Sequence, residues 1–161
     1  NQEILTKNTK FDDINIGDEI PSFEIEETQE TMDKPQKNQW NLIDIGQREE
    51  EFPRGEQKNI HNDEEFAKAG LFGATVNAGV TTMGYINQMI ELIFPSECFY
   101  NGGSMTYKGI GPFRVNDLVK FTGSVVEKRN EDGKNFVDIK IKGLDQSSRL
   151  VGVAEVTLVI K

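Results

Sequence analysis

Residues 55–63 read Gly55-Glu56-Gln57-Lys58-Asn59-Ile60-His61-Asn62-Asp63, and a long apolar stretch from about Thr75 to Phe94 follows them. The nonapeptide holds the chain's single histidine, with Glu56 five positions before it and Asp63 two after it. Asp63 suits an N-cap for a short helix from Glu64 to Ala69, because a short carboxylate there accepts from an otherwise orphaned backbone N–H. Glu64 and Glu65 lie favourably at that helix's positive end, and Gly70 stops it. The long stretch opens on the small-residue turn Asn77-Ala78-Gly79. Its polar positions Asn77, Thr81, Gly84, Gln88 and Glu91 share one stripe at helical spacing, and nearly everything else is apolar. Such a pattern predicts a helix wrapped by other structure on most sides. Pro95 ends it.

The remainder reads as strands. Ile20, Phe23 and Ile25 lead into a strand with one solvated face. Strand character is expected again from Cys98 to Lys108, broken by Gly102-Gly103. Val119, Phe121 and Val125 alternate with polar residues, as do Val137, Ile139 and Ile141, and Val151 to Ile160 is apolar on one face. Asp132-Gly133 and Gln146-Ser147-Ser148 supply the hairpin turns between these runs. Antiparallel strands of this length around one long buried helix make an α+β fold, a sheet curled around a helix. Residues 1–10 read as a polar lead-in. Residues 31–54, polar and with Pro35 and Pro53, read as an insertion that would serve as a lid or subunit contact, and Arg48-Glu49-Glu50-Glu51 as a solvated face.

Several of these segments resemble the MaoC-like, R-specific enoyl-CoA hydratases and dehydratases. That family carries Gly-Asp-x-Asn-Pro-(Ile/Leu)-His-x-Asp ahead of its central helix. This chain matches at Gly55, Ile60, His61 and Asp63 and departs at Glu56, Lys58 and Asn59. Glu64-Glu65-Phe66-Ala67 is similar to the family's Asp-Glu-Phe-Ala helix. Val76-Asn77-Ala78-Gly79 is similar to its Ile-Ala-His-Gly turn without that His. Gly111-Pro112-Phe113-Arg114-Val115-Asn116-Asp117 resembles its Pro-Val-x-x-Gly-Asp segment, and the Gly17-Asp18 approach from Phe11 resembles the family's opening. The resemblance implies the hotdog fold over residues 1–161 as a single domain. It implies an acyl-CoA thioester as substrate, no cofactor, and a homodimer or higher oligomer, or pairing with a second hotdog subunit.

Composition narrows the alternatives. A net charge of −9 argues against nucleic-acid binding, which needs a basic patch. No apolar run approaches the roughly 18 residues that span a bilayer, so no membrane partner is expected. Cys98 is the only cysteine and His61 the only histidine, which disfavours a zinc site and an internal disulfide and suits a reducing cytoplasm. No secretory signal pattern opens the sequence.

Hydrating an α,β-unsaturated thioester needs a base for water, an acid for C2 and donors for the developing enolate oxygen. An imidazole and a carboxylate suit the first two roles. Backbone N–H groups at a helix start suit the third. By resemblance, Glu56 and His61 form the catalytic pair and Gly79 holds the thioester carbonyl. Lys58 is placed to pair with Glu56. Lys108, Arg114 and Lys120 are candidates for a local basic patch toward CoA, Arg114 foremost. Blander readings stand beside these: His61 as a hydrogen-bonded loop residue, Gly79 as a packing glycine like Gly84, and the cations as solvated strand-end charges. A non-catalytic hotdog subunit and a thioesterase are the alternative functions.

Overall fold

The computed structural model describes residues 3–33 and 58–161. Five strands form one antiparallel sheet: β1 (Glu19–Glu26), β2 (Ser104–Gly109), β3 (Leu118–Glu131), β4 (Lys134–Leu144) and β5 (Leu150–Ile160). Their order across the sheet is β1-β3-β4-β5-β2. The last three strands thus make a meander, and the two earlier ones close its opposite edges. The β3–β4 hairpin turns through Asp132 and Gly133, both at positive φ, 51° and 76°. This is the two-residue mirror-image turn that matches strand twist. The β4–β5 turn is built by Asp145, whose carboxylate accepts from the backbone N–H groups of Ser147 and Arg149, each at 2.9 Å.

Alternation places Val119, Phe121 and Val125 of β3, and Val137, Ile139 and Ile141 of β4, on one buried face. Each such side chain contributes about 1.5–3 kcal/mol on full burial, and a one-residue slip would turn the whole set to solvent, so register is strongly set. Against this face lies α2 (Gly79–Glu91), which buries Tyr85, Ile86, Met89 and Ile90 in the same core. The shorter helices are α1 (Glu64–Ala69) and α3 (Glu97–Tyr100).

Four expectations are corrected. The long helix is shorter than Thr75–Phe94, because residues 75–77 are extended and pair with 113–115. Asn77 N donates to Phe113 O at 2.9 Å and Val115 N to Thr75 O at 3.0 Å. Among the described residues α2 is covered on one face, where Tyr85, Ile86, Met89 and Ile90 are buried, and Val80 is 60% exposed on the other. Cys98 to Tyr100 is helical rather than strand, since Cys98 N and Phe99 N bond back to Pro95 O and Ser96 O in tight turns. The lead-in is anchored: Leu5 is buried, and its N–H donates to Glu19 O at 2.8 Å, extending the β1 edge. Residues 29–33 are helical. The rest of the expected insertion, with Arg48 to Glu51, lies outside the described residues, as does Glu56.

Candidate active site

The loop that carries His61 is folded by its own side chains. His61 N donates to Asn59 Oδ1 at 2.8 Å, Asn59 N donates to Asn62 Oδ1 at 2.9 Å, and Asp63 N donates to Asn59 O at 3.1 Å. An asparagine side chain that bonds the backbone two residues on makes a turn without proline. Asp63 then caps α1 by accepting from Phe66 N at 2.8 Å. Lys58 makes an ion pair with Asp63 at 3.1 Å, and its expected pairing with Glu56 lies outside the described residues. The Phe66 N–H and then the Lys58 ammonium hold the Asp63 carboxyl below its ordinary pKa.

Val76 docks this loop onto the rest of the fold. Its N–H donates to Ile60 O at 3.0 Å, and its carbonyl accepts from His61 Nδ1 at 2.7 Å. A carbonyl cannot donate, so Nδ1 carries the proton, and in the neutral imidazole Nε2 keeps its lone pair. Gln29 Nε2 donates to His61 O at 2.8 Å and fixes the loop from the other side. The half-buried His61 forms part of the wall of a cavity of about 300 Å³. Ile60, Phe72, Ile110 and Phe113 make much of that wall apolar, and Asn77, Gly79 and Tyr107 complete it on the helix and strand sides.

Gly79 is the first residue of α2, and the N-cap residue Ala78 makes no side-chain cap bond to that helix start. The first N–H groups of a helix lack intrahelical acceptors and sit at its positive end. A Cβ on Gly79 would meet only Tyr107 Cε1, at 3.9 Å, so packing within the chain does not demand a glycine there. Gly84 is not a packing glycine either: nothing lies within 4 Å of where its Cβ would be. The structure therefore brings His61 and Gly79 to one cavity. The arrangement can take up an apolar chain and offer an unprotonated imidazole nitrogen and backbone donors to a polar group on it.

A family model described as "MaoC like domain" matches residues 49–145. The chain belongs to the MaoC-like domain family. Among solved structures it is similar to a MaoC-like dehydratase from Rhodospirillum rubrum, with a TM-score of 0.69, 16% identity, and 95% and 97% of the two chains covered. It is similar to the R-hydratase PhaJ1 from Pseudomonas aeruginosa, with a TM-score of 0.68, 14% identity, and 96% of this chain and 87% of that one covered. The ChsH1-ChsH2 complex from Mycobacterium tuberculosis is also similar, with a TM-score of 0.67, 15% identity, and 91% and 98% covered. No curated protein sequence matches the chain. These likenesses show the hotdog fold, so the α+β expectation holds.

Within this MaoC-like frame the remaining candidates separate. Arg114 stands next to the cavity, between Phe113 of its wall and Asp117. Its Nε donates to Phe72 O at 2.9 Å, and its backbone N–H donates to Asp117 Oδ2 at 2.8 Å. Asn116, where the family has Gly, takes φ 67°, a conformation asparagine tolerates better than most residues. The three cations do not form one patch. Lys108 is on β2 and Lys120 on β3, three strand spacings apart across the sheet, roughly 14 Å at the usual inter-strand distance. Lys120 instead reaches Glu24 on its neighbouring strand at 3.3 Å. Among the described residues no group of three or more His, Cys, Asp or Glu is placed to hold a metal ion, and no helix is long and apolar enough to cross a membrane. Burial, then the Glu97 charge, pushes the Cys98 thiol up, which removes nucleophilic character.

Sequence reading missed the apolar wall of Phe72, Ile110 and Phe113, and it missed Tyr107. It also did not single out Glu27, whose side chain is fully buried. No local signal marks Glu27, because its main partners lie far along the chain.

Proposed function

We propose that this chain catalyses the reversible hydration of a 2-enoyl-CoA to a 3-hydroxyacyl-CoA. The observation that carries the reading is the His61 Nδ1–H bond to Val76 O, which leaves the Nε2 lone pair unused by it, on a residue that shares one cavity wall with Gly79 at the start of α2. In this scheme Nε2 takes a proton from water as the water oxygen bonds to C3 of the enoyl group. The C2–C3 π electrons shift toward the thioester carbonyl, and N–H groups at Gly79 stabilise the enolate oxygen. A proton delivered to C2 by the Glu56 carboxyl completes the addition, and proton transfer from imidazolium to Glu56 restores both groups. Arg114 is the proposed contact for the CoA phosphates, and a cytoplasmic setting belongs to the same proposal. The exposed face of α2 and the β2 edge strand support pairing with a second hotdog subunit, identical or not.

The altered positions Glu56, Lys58 and Asn59, together with the similarity to a two-protein complex, support a second reading: a subunit that completes a partner's acyl-CoA site. Assay of the purified chain with crotonyl-CoA separates the two. Loss of the enoyl absorbance without release of thiol is expected, and His61→Gln should lower the rate by about 10²–10⁴-fold while the fold persists. Absence of turnover unless a second hotdog protein is added would favour the subunit reading. Release of free CoA would make the chain a thioesterase.

A further inference from the structure

Glu27 follows β1 directly, and its carboxylate is fully buried. Its Oε1 accepts from the hydroxyls of Thr31 and of Tyr85, the latter at 2.9 Å, and its Oε2 accepts from Asn77 Nδ2 at 2.8 Å. No cation pairs with it among the described residues. A buried carboxylate is a costly way to fill a core, and hydrophobic replacements often stabilise such sites. What distinguishes this carboxylate is where its partners lead.

One partner is Asn77, which forms part of the cavity wall and follows Val76, the residue whose carbonyl holds His61 Nδ1–H. An acceptor-only carboxylate forces the Asn77 amide to present nitrogen toward it, so the side chain has one orientation. A second partner, Thr31, closes a turn with Thr28, whose N–H donates to Thr31 Oγ1 at 2.8 Å. Between them Gln29 reaches His61 O at 2.8 Å. Two routes from one carboxylate therefore end on the same imidazole-bearing loop. One runs through the extended segment at residues 76–77, and the other through the turn at 28–31.

We infer that Glu27 is a positioning residue for His61, locking the imidazole's tautomer and place on the cavity wall through Asn77–Val76 and through Thr31–Gln29. The inference rests on reading His61 as the reacting base. Glutamine at this position would turn an NH₂ group toward donors and loosen at least one route. Displacement of a reacting group by about 1 Å can cost on the order of 10²-fold in rate.

Because His61 is the only histidine, selective ¹⁵N-histidine labelling reports one imidazole. In the wild type a single tautomer with a protected Nδ1–H is expected. In Glu27→Gln and in Gln29→Ala that proton should exchange faster and the tautomers mix, with kcat on crotonyl-CoA falling about tenfold or more and KM little changed. If both variants keep the wild-type imidazole spectrum and kcat, with only a lower Tm, Glu27 is structural and the inference is overturned. If Glu27→Gln does not fold, Gln29→Ala decides by the same spectrum, since it leaves the buried carboxylate in place. If the wild type shows no turnover while the spectra change as described, the hydratase reading fails and the positioning of His61 by Glu27 stands.

Discussion

The cavity has two walls built on different principles. On the loop side, His61 and the turn before it are held by side chains that bond to backbone: Asn59, Asn62, Gln29 and the imidazole itself. On the strand side, Tyr107 to Gly111 are held by the backbone ladder with β5 and its continuation, where Ile110 N and Gly111 N both donate to Val151 O at 2.9 Å. Backbone bonds are the same for almost any residue, so the strand wall constrains only size. The loop wall constrains chemical identity. The difference places specificity in the loop and rigidity in the sheet.

The largest effect should come from breaking the size rule. Gly152 pairs with Gly109 and with Gly143, and the Tyr107 ring lies across it. A Cβ there would fall 2.4 Å from Tyr107 Oη and 2.6 Å from Cε2. Gly152→Ala is expected to displace that ring and lower stability by about 1–3 kcal/mol, read as a shift in urea midpoint. An unchanged midpoint would mean that the strand wall adapts as freely as a loop.

A smaller, pH-dependent effect compares two carboxylates, Asp145 in the β4–β5 turn and Asp63 in the loop wall. Burial opposes ionisation of Asp145, but the N–H groups of Arg149 and Ser147 and the Arg149 charge outweigh it, and its pKa lies below the ordinary 3.8. Asp63 is also lowered. A depressed folded-state pKa contributes stability that is present above the unfolded value and lost as pH falls through the folded one. Wild type should therefore exceed Asp145→Asn in stability by a constant margin well above pH 3.8, and the margin should close on further acidification. Asp63→Asn should show the same closing with a narrower margin, because its exposed partner is screened by solvent. Equal margins, measured by denaturant titration across acid pH, would erase the contrast between the two regions.

The smallest change is expected for Lys58→Ala. Its side chain is 67% exposed, and exposed ion pairs contribute little to stability. The melting temperature should not move measurably. A clear drop would show that Lys58 does more for the loop than the Asn59 turn does.

Much of the sheet was legible because its signals are local. Alternation at Val137, Ile139 and Ile141 and the Asp132-Gly133 turn depend on neighbours within a few residues, and β4 and its hairpin follow them. The cap at Asp63 was legible for the same reason. Expectations failed where a distant segment decided: residues 75–77 were claimed by 113–115, and Leu5 by Glu19.

By itself the sequence determined the strands, the helix order, the acidic charge and the one available imidazole, all properties of adjacent residues or of composition. Only the tertiary structure decided which imidazole nitrogen carries the proton, because that depends on Val76, fifteen residues beyond His61. It alone buried Glu27 against Asn77, fifty residues away, and kept Lys108 and Lys120 from forming one patch. Hydrogen bonds and charges act through space, and chain topology, which no local propensity encodes, sets which distant groups come within their reach.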